Sequence, residues 1–83
     1  MPRPPVSEEE LERVMRAVAT GQKQREIAEE LGISIAKLQR CVVLVRHQLA
    51  KRDNDLVWLQ SERRTDVQVA QRWLRLFRSA TIE

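Results

Sequence analysis

Gly21-Gln22-Lys23-Gln24-Arg25-Glu26-Ile27-Ala28-Glu29-Glu30-Leu31-Gly32-Ile33-Ser34 is the stretch that decides the fold. Ile27, Ala28 and Leu31 recur at the spacing of one helical face, so a short helix is expected from about Gln24 to Leu31. Gly32 stops it, because glycine takes the left-handed backbone conformation at little cost. Ile33 plugs the turn, and Ser34 is placed to cap a following helix. Ala28 is small where two helices must approach closely. The local pattern is therefore helix, tight turn, helix, with a steep crossing that presents the start of the second helix to solvent.

The pattern extends outward in both directions. The helix that Ser34 opens is predicted from Ile35 to about Arg52, with an inward stripe of Leu38, Cys41, Val42, Val45 and Leu49. Upstream, Ser7 and Glu10 form a capping-box pattern, and Glu8 and Glu9 suit the positive end of the helix dipole. Leu11, Val14, Met15 and Val18 give that first helix one apolar face, and Gly21 is placed to end it. Downstream, Asp53, Asn54 and Asp55 break the pattern. Leu56 to Leu59 reads as a helical turn or two started by Asp55, with a short strand as the alternative. Thr65 and Gln68 form a second capping box, and a last helix is predicted from about Asp66 to Ala80. Val69, Ala70, Trp73, Leu74, Leu76 and Phe77 spread over about half its circumference.

These elements define an all-α chain: a small helix-turn-helix bundle of four to five helices with an amphipathic C-terminal helix. At 83 residues there is room for one domain. It divides into a flexible arm (1–6), a helix-turn-helix core (7–52) and a C-terminal helical extension (53–83). A chain this short buries only roughly 60% of the surface its unfolded form exposes. The last helix either folds back on Val43 and Leu44 of its own chain or packs on a second copy, and the thin core favours the second. The expected homodimer interface is therefore Val43, Leu44, Trp73, Leu74 and Phe77.

Composition narrows the function classes. Cys41 is the single cysteine and His47 the single histidine, which leaves no disulfide and no cluster for a metal. No signal-peptide pattern is visible, and the longest apolar run, Cys41 to Val45, falls far short of a membrane span. A reducing cytoplasm of bacterial or phage type is the expected setting, with no membrane and no cofactor. No serine–histidine–acid set or phosphate-cradling glycine loop suggests an enzyme, and the acidic residues are expected on exposed faces and in caps. Net charge is +3, split between −2 over residues 1–34 (five basic, seven acidic) and +5 over residues 35–83 (ten basic, five acidic). A basic back half points to an anionic partner.

The central stretch resembles the helix-turn-helix of the LuxR/GerE family and of sigma-factor region 4. The resemblance rests on Gly21, Arg25-Glu26-Ile27-Ala28 and Leu31-Gly32-Ile33-Ser34, with Leu38 and Val45 as later core positions, and covers about residues 7–52. It implies a third helix that enters the major groove of double-stranded DNA. The implied base readers are Lys37, Gln39 and Arg40, joined by Ala36 and, further along, Arg46 or His47. Phosphate contacts are expected from Lys23, Arg25, Arg46, Lys51, Arg52, Arg63 and Arg64, and a minor-groove contact from Arg3. Two departures stand out. The glutamate usual in the first helix falls near Leu11, and Val43 and Leu44 lie off the core stripe where polar groups are usual. Cys41 is read as a buried core thiol, Trp58 and Trp73 as core or interface, and Arg72, Arg75 and Arg78 as a solvated face. The leading expectation is a sequence-specific, nucleoid-associated transcriptional regulator. The rivals are a module of the same shape that binds RNA polymerase or another regulator, and a DNA-packaging or recombination accessory protein.

Overall fold

In the computed structural model, which describes residues 6–61 and 64–77, the chain folds into five helices with no strand among those residues. They are α1 (Glu8–Ala19), α2 (Gln24–Leu31), α3 (Ile35–Ala50), α4 (Asp53–Ser61) and α5 (Asp66–Phe77). Each boundary has a local cause. The Ser7 hydroxyl accepts from the Glu10 amide at 3.2 Å and the Ser34 hydroxyl from the Lys37 amide at 3.0 Å. Gly32 sits at φ +69° and Gly21 at φ +87°, where a side chain would be strained. The Ile33 amide then donates back to the Ala28 carbonyl at 3.0 Å, so the turn between α2 and α3 is hydrogen-bonded to the helix it leaves. The Thr65–Gln68 capping box is complete: each residue's amide donates to the other's side-chain oxygen, at 3.0 and 3.2 Å.

Leu56 to Leu59 is helical, and α4 begins at Asp53 rather than at Asp55. The Asp53-Asn54-Asp55 run interrupts α3 but does not delay its successor, because acidic residues in a first turn face the positive end of the dipole.

The core draws on four helices. Leu11, Val14, Met15 and Val18 of α1 meet Ile27 of α2, Leu38, Cys41, Val42, Val45 and Leu49 of α3, and Val69, Ala70 and Trp73 of α5. Helix α5 packs most extensively on α1 and next on α3. Val69 and Ala70 are fully buried and Trp73 is 3% exposed within a single copy of the chain. The last helix therefore folds back on its own chain, chiefly on α1 rather than on Val43. Helix α5 completes the core that α1 to α3 begin. The back-folding does not cover Val43, which stays half exposed, because α5 settles on the α1 side of α3.

Polar side chains fix α5 in register. The Gln71 amide donates to the Ala19 carbonyl at the end of α1, and the Trp73 indole N–H donates to Gln48 Oε1 of α3 at 2.7 Å. Asp66 takes Gln24 Nε2 of α2 on one oxygen (3.1 Å) and Arg46 of α3 on the other (2.9 Å). One carboxylate at the start of α5 thus ties together the two helices of the central motif. Val6 is half-buried against the core, so it belongs to the folded body rather than to a free arm, and residues 1–5, including Arg3, lie outside the described residues. Among the described residues no helix is long and apolar enough to cross a membrane.

Candidate nucleic-acid interface

Helix α3 turns its apolar stripe inward and leaves Ile35, Ala36, Gln39, Arg40, Val43 and His47 exposed on the other side. Apart from the adjacent pairs Ile35–Ala36 and Gln39–Arg40, these positions recur at intervals of three and four residues, so they line one continuous outer face. Helix α3 carries no acidic residue. Arg40 is exposed and has no ion-pair partner among the described residues. Gln39 and Arg40 therefore present free donors near the start of the helix, as the sequence suggests.

Lys37 does not join them. It is half-buried and ion-paired to Glu10 of α1. Its place on the helix is one residue before the buried Leu38, which turns it to the flank that α1 covers. The same hydrogen bond is the first cause holding the Glu10 carboxyl below its ordinary value. Lys37 links α1 to α3.

The expected phosphate contacts divide in the same way. Lys23, Arg25 and Lys51 are exposed and without ion-pair partners among the described residues. Lys23 stands at the N-cap of α2, where no side chain caps the helix. The first amides of α2 thus face outward beside two cations, whereas α1 and α3 have their first turns closed by serines. Arg46, by contrast, donates to Asp66 and to the Arg64 carbonyl, at 2.9 and 3.1 Å. Arg64 donates to the Trp58 carbonyl and lies over the Trp58 ring at 4.6 Å. Both arginines build the junction between α3, α4 and α5 and are not free for a ligand. Arg52 is half exposed, pairs with Asp55 at 3.2 Å and lies over Phe77 at 5.8 Å. Arg63 falls outside the described residues.

A cluster that the sequence does not announce holds α4 in place. Asp55, expected on an exposed face or in a cap, is 2% exposed. Its Oδ1 takes Arg72 of α5 at 2.8 Å and its Oδ2 lies 3.2 Å from Arg52. Arg72, read as part of a solvated face, also lies 4.5 Å from the centre of the Trp58 ring. Trp58 thus carries a guanidinium at about the same distance from both Arg64 and Arg72, so two cations and one carboxylate replace the apolar face that α4 lacks. The only sequence signal was the Arg52–Asp55 spacing of three, common to many surface pairs.

The expected dimer surface is not assembled. Trp73 is core, Leu44, Leu74 and Phe77 are half-buried against it, and Val43 alone of the five is exposed. Val43 borders a shallow, mainly apolar recess between α3 and α4, shared with Arg46, His47, Ala50 and Leu59. Cys41 is fully buried and its thiol is pushed up by that burial. Among the described residues no group of three histidine, cysteine or acidic side chains is arranged to hold a metal. No protein-family model, curated protein or solved structure matches the chain.

Proposed function

We propose that the protein binds double-stranded DNA by laying the outer face of α3 in the major groove, and that it serves as a sequence-specific regulator. The observation that carries this reading is the acid-free, exposed face of α3, which starts one turn after α2 and bears Gln39 and Arg40 unpaired. Arginine matches guanine O6 and N7 with two donors, and glutamine matches adenine N6 and N7. The uncapped start of α2 beside Lys23 and Arg25 suits a phosphate, since free amides and cations converge there. Lys51 at the far end of α3 suits a second phosphate. The acidic side chains Glu8 and Glu9 of α1 and Glu29 and Glu30 of α2 are exposed away from the start of α2 and would discourage docking in other orientations.

Binding measured against salt tests this reading. With Arg46 and Arg64 committed to the fold and Arg52 paired with Asp55, three or four of the expected phosphate contacts remain per chain. Log affinity should then fall with log salt at a slope of about −3. Failure to bind any duplex at low salt would refute the proposal. It would favour the protein-binding alternative, for which the apolar recess beside Val43 is the supporting observation.

A further inference from the structure

Three large apolar side chains are exposed among the described residues: Ile35, Val43 and Val57. Two of them, Ile35 and Val43, lie on the outer face of α3, and Gln39 stands midway between them. Exposed apolar groups on a helix face without acid call for an occupant that is apolar at those points and anionic around them. Val43 is 50% exposed and lies four residues beyond Gln39 and three beyond Arg40. At 1.5 Å of rise per residue it sits about 5 Å further along the groove, roughly one to two base pairs.

We propose that Val43 is a specificity residue whose isopropyl group reads the 5-methyl of a thymine in the major groove, beside the base pair read by Gln39 and Arg40. The proposal rests on the DNA-binding reading given above. Valine has no donor or acceptor to match a base edge, and the thymine methyl is the one apolar group the major groove offers. The surrounding charge fits: Arg40 and Lys51 flank Val43 along α3, and Lys23 and Arg25 stand at the start of α2. A second copy fits less well. A two-fold contact centred on Val43 would bring the unpaired Arg40 of each copy against a helix face that carries no acidic residue to offset it.

The experiment begins with a duplex enriched from a random-sequence pool by the wild-type protein. Each thymine of that duplex is then replaced singly by deoxyuridine, which removes the methyl and leaves the hydrogen-bonding edge intact. The expected result is a loss of about fourfold at one thymine, the worth of one buried methyl-sized group. That loss should vanish in Val43→Ala, which binds the parent duplex about as weakly as wild type binds the deoxyuridine duplex. Val43→Thr keeps one methyl and should keep the sensitivity. Since Val43 is exposed, the alanine variant should match wild type in helical circular dichroism, so weaker binding is not misfolding. Deoxyuridine tolerated at every position, an enriched site without thymine, or a penalty that persists in Val43→Ala would overturn the assignment while leaving DNA binding standing. A pool from which nothing is enriched at low salt would overturn the DNA-binding reading itself, and Val43's role with it.

Discussion

Replacing Trp73 with alanine removes the largest side chain that α5 places in the core. The indole is 3% exposed, donates to Gln48 at 2.7 Å and stacks on Phe77 with 5.8 Å between ring centres. Truncating a buried tryptophan costs about 3–5 kcal/mol, from lost transfer energy and the cavity left behind. Gln48 is only partly buried, so water can satisfy its amide after the indole leaves, and the loss should fall near the middle of that span, about 4 kcal/mol. A chain of this length has a total stability of about 4–12 kcal/mol, so the variant forfeits a third or more of it. The melting temperature should drop by at least about 15 °C. Urea unfolding followed by far-ultraviolet circular dichroism, at several protein concentrations, measures both size and molecularity. A loss below about 1 kcal/mol would mean that α5 does not sit on α1. A wild-type midpoint that climbs with protein concentration would mean that a second copy supplies the packing credited to the chain itself.

Further outcomes follow from the same geometry. Asp55→Ala strands Arg72 in a half-buried site and should cost about 2 kcal/mol; the cycle with Arg72→Ala should give a coupling above about 1 kcal/mol, and a coupling near zero would dissolve the cluster that holds α4. Burial raises the Cys41 thiol, so less thiolate forms at any given pH than in a free cysteine; a disulfide reagent should label native protein only as fast as it unfolds, with little acceleration between pH 7 and 8.5, and labelling as fast as in urea would contradict the burial. Arg40→Ala should cost about 1–3 kcal/mol on an enriched duplex and little on random DNA. Lys51→Ala should weaken both alike and lower the salt slope by about one; parallel losses in the two variants would remove Arg40 from the base readers.

The parts of the fold written in local pattern were legible. Helices α1 and α2 end at the glycines that stop them, and α3 and α5 begin at capping residues whose hydrogen bonds form as expected. Helix type at Leu56 to Leu59 was open because its apolar residues are few and follow no clean face. The charged residues were the least legible. Lys37, Arg46 and Arg64 look free in sequence, yet each meets a partner brought near only by packing or by the α4–α5 turn: Glu10, Asp66 and Trp58. Asp55 is one of two aspartates in a turn-like run, and nothing local marks it as the one that is buried. The breadth of the apolar face on α5 is legible in the sequence; that α1 supplies most of its cover is not, because a helix pattern states how much surface needs cover and not which surface supplies it. The exposure of Gln39 and Arg40 is legible because helical spacing alone places them opposite the core stripe.

The central claim is that duplex DNA is held by the outer face of α3 and the start of α2. Backbone amide chemical-shift mapping tests it most directly, with labelled protein titrated with an enriched duplex at low salt. The expected perturbations fall on Lys23 to Arg25 and on Ile35, Ala36, Gln39, Arg40 and Val43, while Glu8 to Glu12 of α1 and the amides of α5 stay in place. Shifts confined to Leu59 and Ala50 around the α3–α4 recess, or a spectrum that does not respond to DNA, would contradict it.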